Sequence, residues 1–214
     1  MKNLLIILIV LFTNNFLTAQ NNWEAPLEAQ ITAANTIKTA DELKVITAAV
    51  ERIALSNSNE WLPAYHAAYF NSQLLWRFGK ESCNNCLDQM DKFLTTAEKA
   101  DNNSEVLALR ANYYQAKLQD SPMMAPYYGP KAGNILKVAL NEDPNNPRAN
   151  LLMGQNLFYT PEMFGGGAAK AKPFIEKARE LFAEAEVEAA TPSIQPSWGK
   201  YMSDQMGKEL ASAE

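Results

Sequence analysis

The chain has 214 residues, of which 47% are hydrophobic, with two cysteines, one histidine and a formal net charge of −5. That length supports one domain with a sizeable core, and two cysteines are too few for a disulfide framework to replace that core. A mildly acidic chain without a basic block excludes nucleic acid as a partner and has little attraction for an anionic membrane surface.

Lys2, the apolar run Leu4–Phe12 and the small-residue end Leu17-Thr18-Ala19 follow the order of a secretory signal peptide, cleaved after Ala19. Thr13, Asn14 and Asn15 interrupt the run well short of the ~20 apolar residues that a membrane span needs. Residues 20–214 are therefore expected as a single exported domain, periplasmic or secreted, with no stable span after cleavage. No run alternates β-branched and polar residues, and apolar positions recur at three and four, so the fold class is all-α. The expected helices are 24–35, 39–55 behind the capping-box pattern Thr39-Ala40-Asp41-Glu42, 60–78 ended by Gly79, and 82–99. Further helices follow at 105–118, 131–140, 148–159, 168–188 and 197–211. Asp120–Pro130, with three prolines and a glycine, reads as a loop. Thr160–Gly167 reads as a second loop and Thr191–Pro196 as a break.

An internal period is present. Ala67, Ala111 and Gly154 are spaced about 43 residues apart, and each is followed three positions later by a bulky residue, Phe70, Tyr114 or Leu157. A small residue lets a paired helix approach, and the bulky one fills the groove beside it. Ala97, Ala139 and Ala178 repeat the pattern in the second helices. With the Asp143-Pro144 turn and Ala171, this pattern resembles the tetratricopeptide repeat family. The resemblance covers 60–182, with repeats at 60–101, 104–143 and 147–188 and a cap at 197–211. It implies an α-solenoid of stacked antiparallel helix pairs. The usual period is about 34 residues, and the extra length here falls at 121–130 and 161–167. The stretch FYTPEMFGGG followed by AKAKPFIEKA is also similar to exported repeat proteins of Bacteroidetes-type bacteria. More distantly, it is similar to helical lipoproteins that partner substrate-binding proteins of TRAP transporters.

Chemical motifs are few. Cys83-Asn84-Asn85-Cys86 lacks the strand–helix alternation of a thioredoxin-like site, the histidine of a haem-attachment motif and the four ligands of structural zinc. It reads as a short local disulfide or a pair of free thiols. His66 has no Ser/Asp or Cys partner pattern for nucleophilic catalysis. Gly165-Gly166-Gly167 with Lys170 and Lys172 lacks the Walker spacing, so it reads as a tight loop. No catalytic, cofactor or metal residue is expected. Met123, Met124, Tyr127 and Tyr128 in one loop, with Tyr159, Met163 and Phe164 in the other, suit either gap-filling or ligand contact.

The family geometry implies that Asn71, Asn112, Gln115, Arg148, Gln155 and Tyr159 line a concave face, where Arg148 would engage a carboxylate. The expected function is accordingly that of a non-enzymatic scaffold binding a peptide or protein segment in that groove. The alternative is a small-molecule carrier or transporter-accessory protein whose loops close a pocket for an apolar ligand.

Overall fold

A computed structural model describes residues 22–188 and 193–213. The expected signal peptide at 1–19 and part of the break at 191–196 lie outside them. Among the described residues there are nine α-helices and no strand. They are α1 (Glu24–Ala34), α2 (Ala40–Ser56), α3 (Trp61–Phe78), α4 (Cys86–Ala100), α5 (Ser104–Asp120), α6 (Ala125–Glu142), α7 (Pro147–Phe158), α8 (Ala168–Glu188) and α9 (Lys200–Ala213). No helix among them is long and apolar enough to cross a membrane.

Helix ends follow their local chemistry. Thr39 accepts from the Glu42 amide while the Glu42 carboxylate accepts from the Thr39 amide, a complete capping box. Asn146 accepts from the amides of Arg148 and Ala149, and Pro147 opens α7, where its missing N–H is not needed. Two expected boundaries shift. The stretch 121–130 is not a loop throughout: a short 3₁₀ turn at Pro122–Met124 leads into α6 at Ala125. Pro126 sits in the first turn of α6, and Pro130 removes only the bond that would reach back to Pro126, so the early helix survives both prolines. Likewise α4 begins at Cys86, because Lys80–Ser82 take a 3₁₀ turn after Gly79.

α3 packs chiefly on α4, α5 on α6 and α7 on α8, and α5 also touches α3 and α7. The small residues singled out by their spacing (Ala67, Ala97, Ala111, Ala139, Ala178) are fully buried. At Gly154 a Cβ would come 2.5 Å from the Cγ1 of Ile175, so α7 and α8 approach more closely than alanine allows. Buried side chains fall into three successive clusters, around Tyr65 and Phe93, around Leu136 and Leu152, and around Ile175 and Met206. One charged residue at a core-facing position is satisfied by ion pairs. Arg110 of α5 donates to Glu98 and Asp91 of α4, and its guanidinium lies over the Tyr113 ring.

Candidate functional site

The segment 193–199, between α8 and α9, crosses back over α3 and α7. His66 of α3 donates from Nε2 to the Ile194 carbonyl oxygen at 2.7 Å. The Trp198 indole donates to the Tyr65 hydroxyl at 2.8 Å, and its ring stacks on Tyr69 with centroids 5.4 Å apart. Arg148 of α7 reaches the Trp198 carbonyl and holds Glu105 of α5 through two bonds of 2.6 Å. Gly199, with φ of 115°, lets this strap turn against the Phe182 ring into α9. Four elements distant in sequence therefore meet at one knot, Tyr65–Glu105–Arg148–Trp198. Burial opposes the Arg148 charge, but its bonds to Glu105 outweigh that and raise its pKa.

Beside the strap lies a cleft of about 300 Å³ between α1, α2 and α3. Ile31, Leu43 and Phe70 supply apolar wall, Tyr69 and Trp198 an aromatic side, and Gln73 and Arg77 polar groups. Arg77 is exposed and lies 5.2 Å from the Phe78 ring centroid. His66 also lines the cleft. Since Nε2 donates to a carbonyl, Nδ1 carries the lone pair, and that atom is buried without a partner. Burial lowers the imidazole pKa to about 4, against the opposing bond to Ile194. The side chain is therefore a neutral wall group at physiological pH.

The six residues expected on the concave face are not presented together. Asn71 and Asn112 are buried, and Asn71 donates to Glu51 and to the Ala67 carbonyl. Gln115 donates to the Leu152 carbonyl, bracing α5 against α7. Arg148 is committed to Glu105 and the strap. Gln155 is half-buried, and only Tyr159 is exposed, its hydroxyl bonded to Glu209 of α9. Cys83 and Cys86 are joined by a disulfide. Lys170 donates to the Gly165 carbonyl, closing the glycine loop on itself.

The methionine and aromatic segments do not fold inward. Met123 is 95% exposed, Met163 83% and Phe164 73%. The second segment is firmly built nonetheless, with backbone bonds from Phe164 to Pro161, Gly165 to Glu162 and Gly167 to Leu157. At the α5–α6 junction four phenol rings touch in series. Tyr113 meets Tyr114 at 5.1 Å, Tyr114 stacks on Tyr128 at 6.0 Å, and Tyr128 meets Tyr127 at 5.2 Å. Lys131 lies 4.6 Å from the Tyr114 centroid and 5.5 Å from Tyr127, while Lys117 lies 5.4 Å from Tyr113 and 5.3 Å from Tyr128. Both lysines have raised pKa values. Desolvation opposes the Lys117 charge and the Tyr113 hydroxyl supports it, while at Lys131 the Tyr114 hydroxyl leads. Sequence reasoning passed over both lysines. The signal was there, since Tyr113/Lys117 and Tyr127/Lys131 are each four apart on a helix.

No protein-family model matches the chain, and no curated protein does so. A solved structure is similar to it: the HusA haemophore from Porphyromonas gingivalis, with a TM-score of 0.75 and 29% sequence identity over 88% of this chain and 92% of that one. The likeness extends over nearly the whole of both molecules. It corrects the expected function and partner, because a haemophore carries a small molecule and is not a scaffold for a peptide or protein segment. The packing supplies a physical reason. Asn71, Gln115, Arg148 and Tyr159, assigned to a peptide groove, are bonded within the protein, and its own strap lies over Tyr65, Tyr69 and Arg148.

Proposed function

We propose that this protein binds a haem-class ligand, a flat and largely apolar tetrapyrrole carrying carboxylates. The observation that carries the proposal is the likeness to the HusA haemophore at 29% identity across nearly the whole length of both chains. This is the small-molecule alternative, with exposed aromatic and methionine side chains as the apolar contacts. Lys117 and Lys131, by the four phenols, offer cations beside aromatic faces for a carboxylate-bearing ring. We read the protein as a carrier and not an enzyme, in keeping with a haemophore neighbour. We also read α3–α4, α5–α6 and α7–α8 as a solenoid of tetratricopeptide-like pairs capped by α9. Export is supported by the signal-like order of residues 2–19 and by the Cys83–Cys86 disulfide, a bond that persists in oxidising compartments.

The test is a titration of purified residues 20–214 with haemin, following the Soret band and the quenching of tryptophan fluorescence. Saturable binding at defined stoichiometry, micromolar or tighter, is the expected result. A spectrum that tracks free haemin at every ratio removes the proposal.

A further inference from the structure

We propose that the tetrapyrrole is seated on the open tyrosine–lysine platform at the α5–α6 junction and not in the cleft beside Trp198; this inference rests on the binding proposed above. The cleft holds about 300 Å³. That lies at the low end of the roughly 300–1,000 Å³ that enclosing small-molecule pockets provide, and it suits a ligand smaller than a tetrapyrrole. The strap that walls the cleft is itself tied to Tyr65, His66 and Arg148, so widening the cleft means breaking buried hydrogen bonds.

The platform has the opposite character. Tyr127 is 55% exposed and Met123 95% exposed, and Tyr114 and Tyr128 are half-buried behind them, so a flat ring meets π-faces and a thioether without displacing protein. Its charge is unspent. Lys117 and Lys131 approach tyrosines only, and among the described residues neither forms an ion pair with a carboxylate. Two ammonium groups that form no ion pair among the described residues, on a chain of net charge −5, are a local positive patch on an acidic protein. A macrocycle with carboxylates on one edge matches that arrangement. Its ring lies over Tyr127 and Met123, and its carboxylates replace water around the two ammonium groups. Lys44 and Lys80, by contrast, already pair with Asp41 and Asp120.

The experiment compares the mature protein, the Lys117→Gln/Lys131→Gln double variant, Tyr127→Ala and Arg77→Gln, each titrated with haemin and with its dimethyl ester. All four substituted positions are exposed or half-buried, and thermal melts check that each variant keeps the parent fold. Loss of two exposed ion pairs is expected to weaken haemin binding about tenfold. The ester should bind parent and double variant alike, Tyr127→Ala should weaken both ligands, and Arg77→Gln should leave both unchanged. If the parent binds haemin and the double variant binds it equally well, the platform is refuted while the binding function stands. Loss confined to Arg77→Gln places the ligand in the cleft and refutes it as well. A parent that binds neither ligand refutes the function and the platform together.

Discussion

Glu105→Gln tests the knot under the strap. Arg148 and Glu105 have side-chain exposures of only 11% and 19%, and they are joined by two bonds of 2.6 Å. The substitution leaves the shape intact and removes the only carboxylate that Arg148 contacts among the described residues. Stranding a buried charge costs about 3–5 kcal/mol. Tyr65 and the Trp198 carbonyl still solvate the site, so the lower end, about 3 kcal/mol, is expected. For a domain of this size each kcal/mol moves Tm by about 2–4 °C, which gives a fall of roughly 6–12 °C. Calorimetry measures it, and intrinsic fluorescence reports the surroundings of the tryptophans, Trp198 among them. The double variant Glu105→Gln/Arg148→Met removes the stranded charge and should recover much of the loss. A Glu105→Gln protein that melts within about 2 °C of the parent would refute a buried, mutually dependent pair.

His66 gives a pH signature. Its folded pKa of about 4 lies below the unfolded value of 6.5, so between these limits the unfolded chain holds more protons and stability rises with pH. The contribution is whole above pH 6.5, is lost on acidification towards pH 4 and amounts to about 3 kcal/mol. Urea unfolding across that window should show the parent steeper than His66→Gln by that amount, and parallel curves would deny the buried neutral imidazole. Gly154→Ala drives a Cβ against Ile175 and should destabilise by about 1–3 kcal/mol, read as a lowered urea midpoint with unchanged slope. Reducing Cys83–Cys86 opens a loop of sequence separation 3, so Cys83→Ser/Cys86→Ser should cost at most about 2 kcal/mol and leave haemin binding unchanged.

How much of this was legible in the sequence depends on how far apart the determinants lie. The helix boundaries carried by one or two adjacent residues were readable: Thr39 with Glu42, Asn146 with Pro147, and Gly79 after α3. The start of α6 was not, because two prolines signal a break locally and only their positions in the first turns show that they are harmless. Asn71 and Asn112 are expected on a concave face from the repeat geometry, yet burial of a polar residue is decided by a partner such as Glu51, twenty positions away from Asn71. The strap was invisible for the same reason. Its bonds join Ile194 to His66 and Trp198 to Tyr65 across separations of 128 and 133 residues.

The same distinction bears on function. Reading a docking wall from repeat geometry assumes that the helix faces are free, and here the chain's own strap lies against α3 and α7. A peptide entering there would have to displace Trp198 from its stack on Tyr69 and its bond to Tyr65, and leave the Ile194 carbonyl and His66 Nε2 to find new partners. Each buried polar group left unpaired costs about 1–3 kcal/mol, so a peptide must replace every one of those bonds before it gains any affinity. A flat ligand at the α5–α6 junction meets no such barrier. Tyr127, Met123 and Met124 there already face solvent, Lys117 and Lys131 form no ion pair with a carboxylate among the described residues, and covering that surface removes apolar area from water without breaking a protein–protein bond. With the strap seated on α3 and α7 and the α5–α6 junction aromatic, cationic and open, the physics favours the proposed small planar guest over a polypeptide, in line with the haemophore likeness.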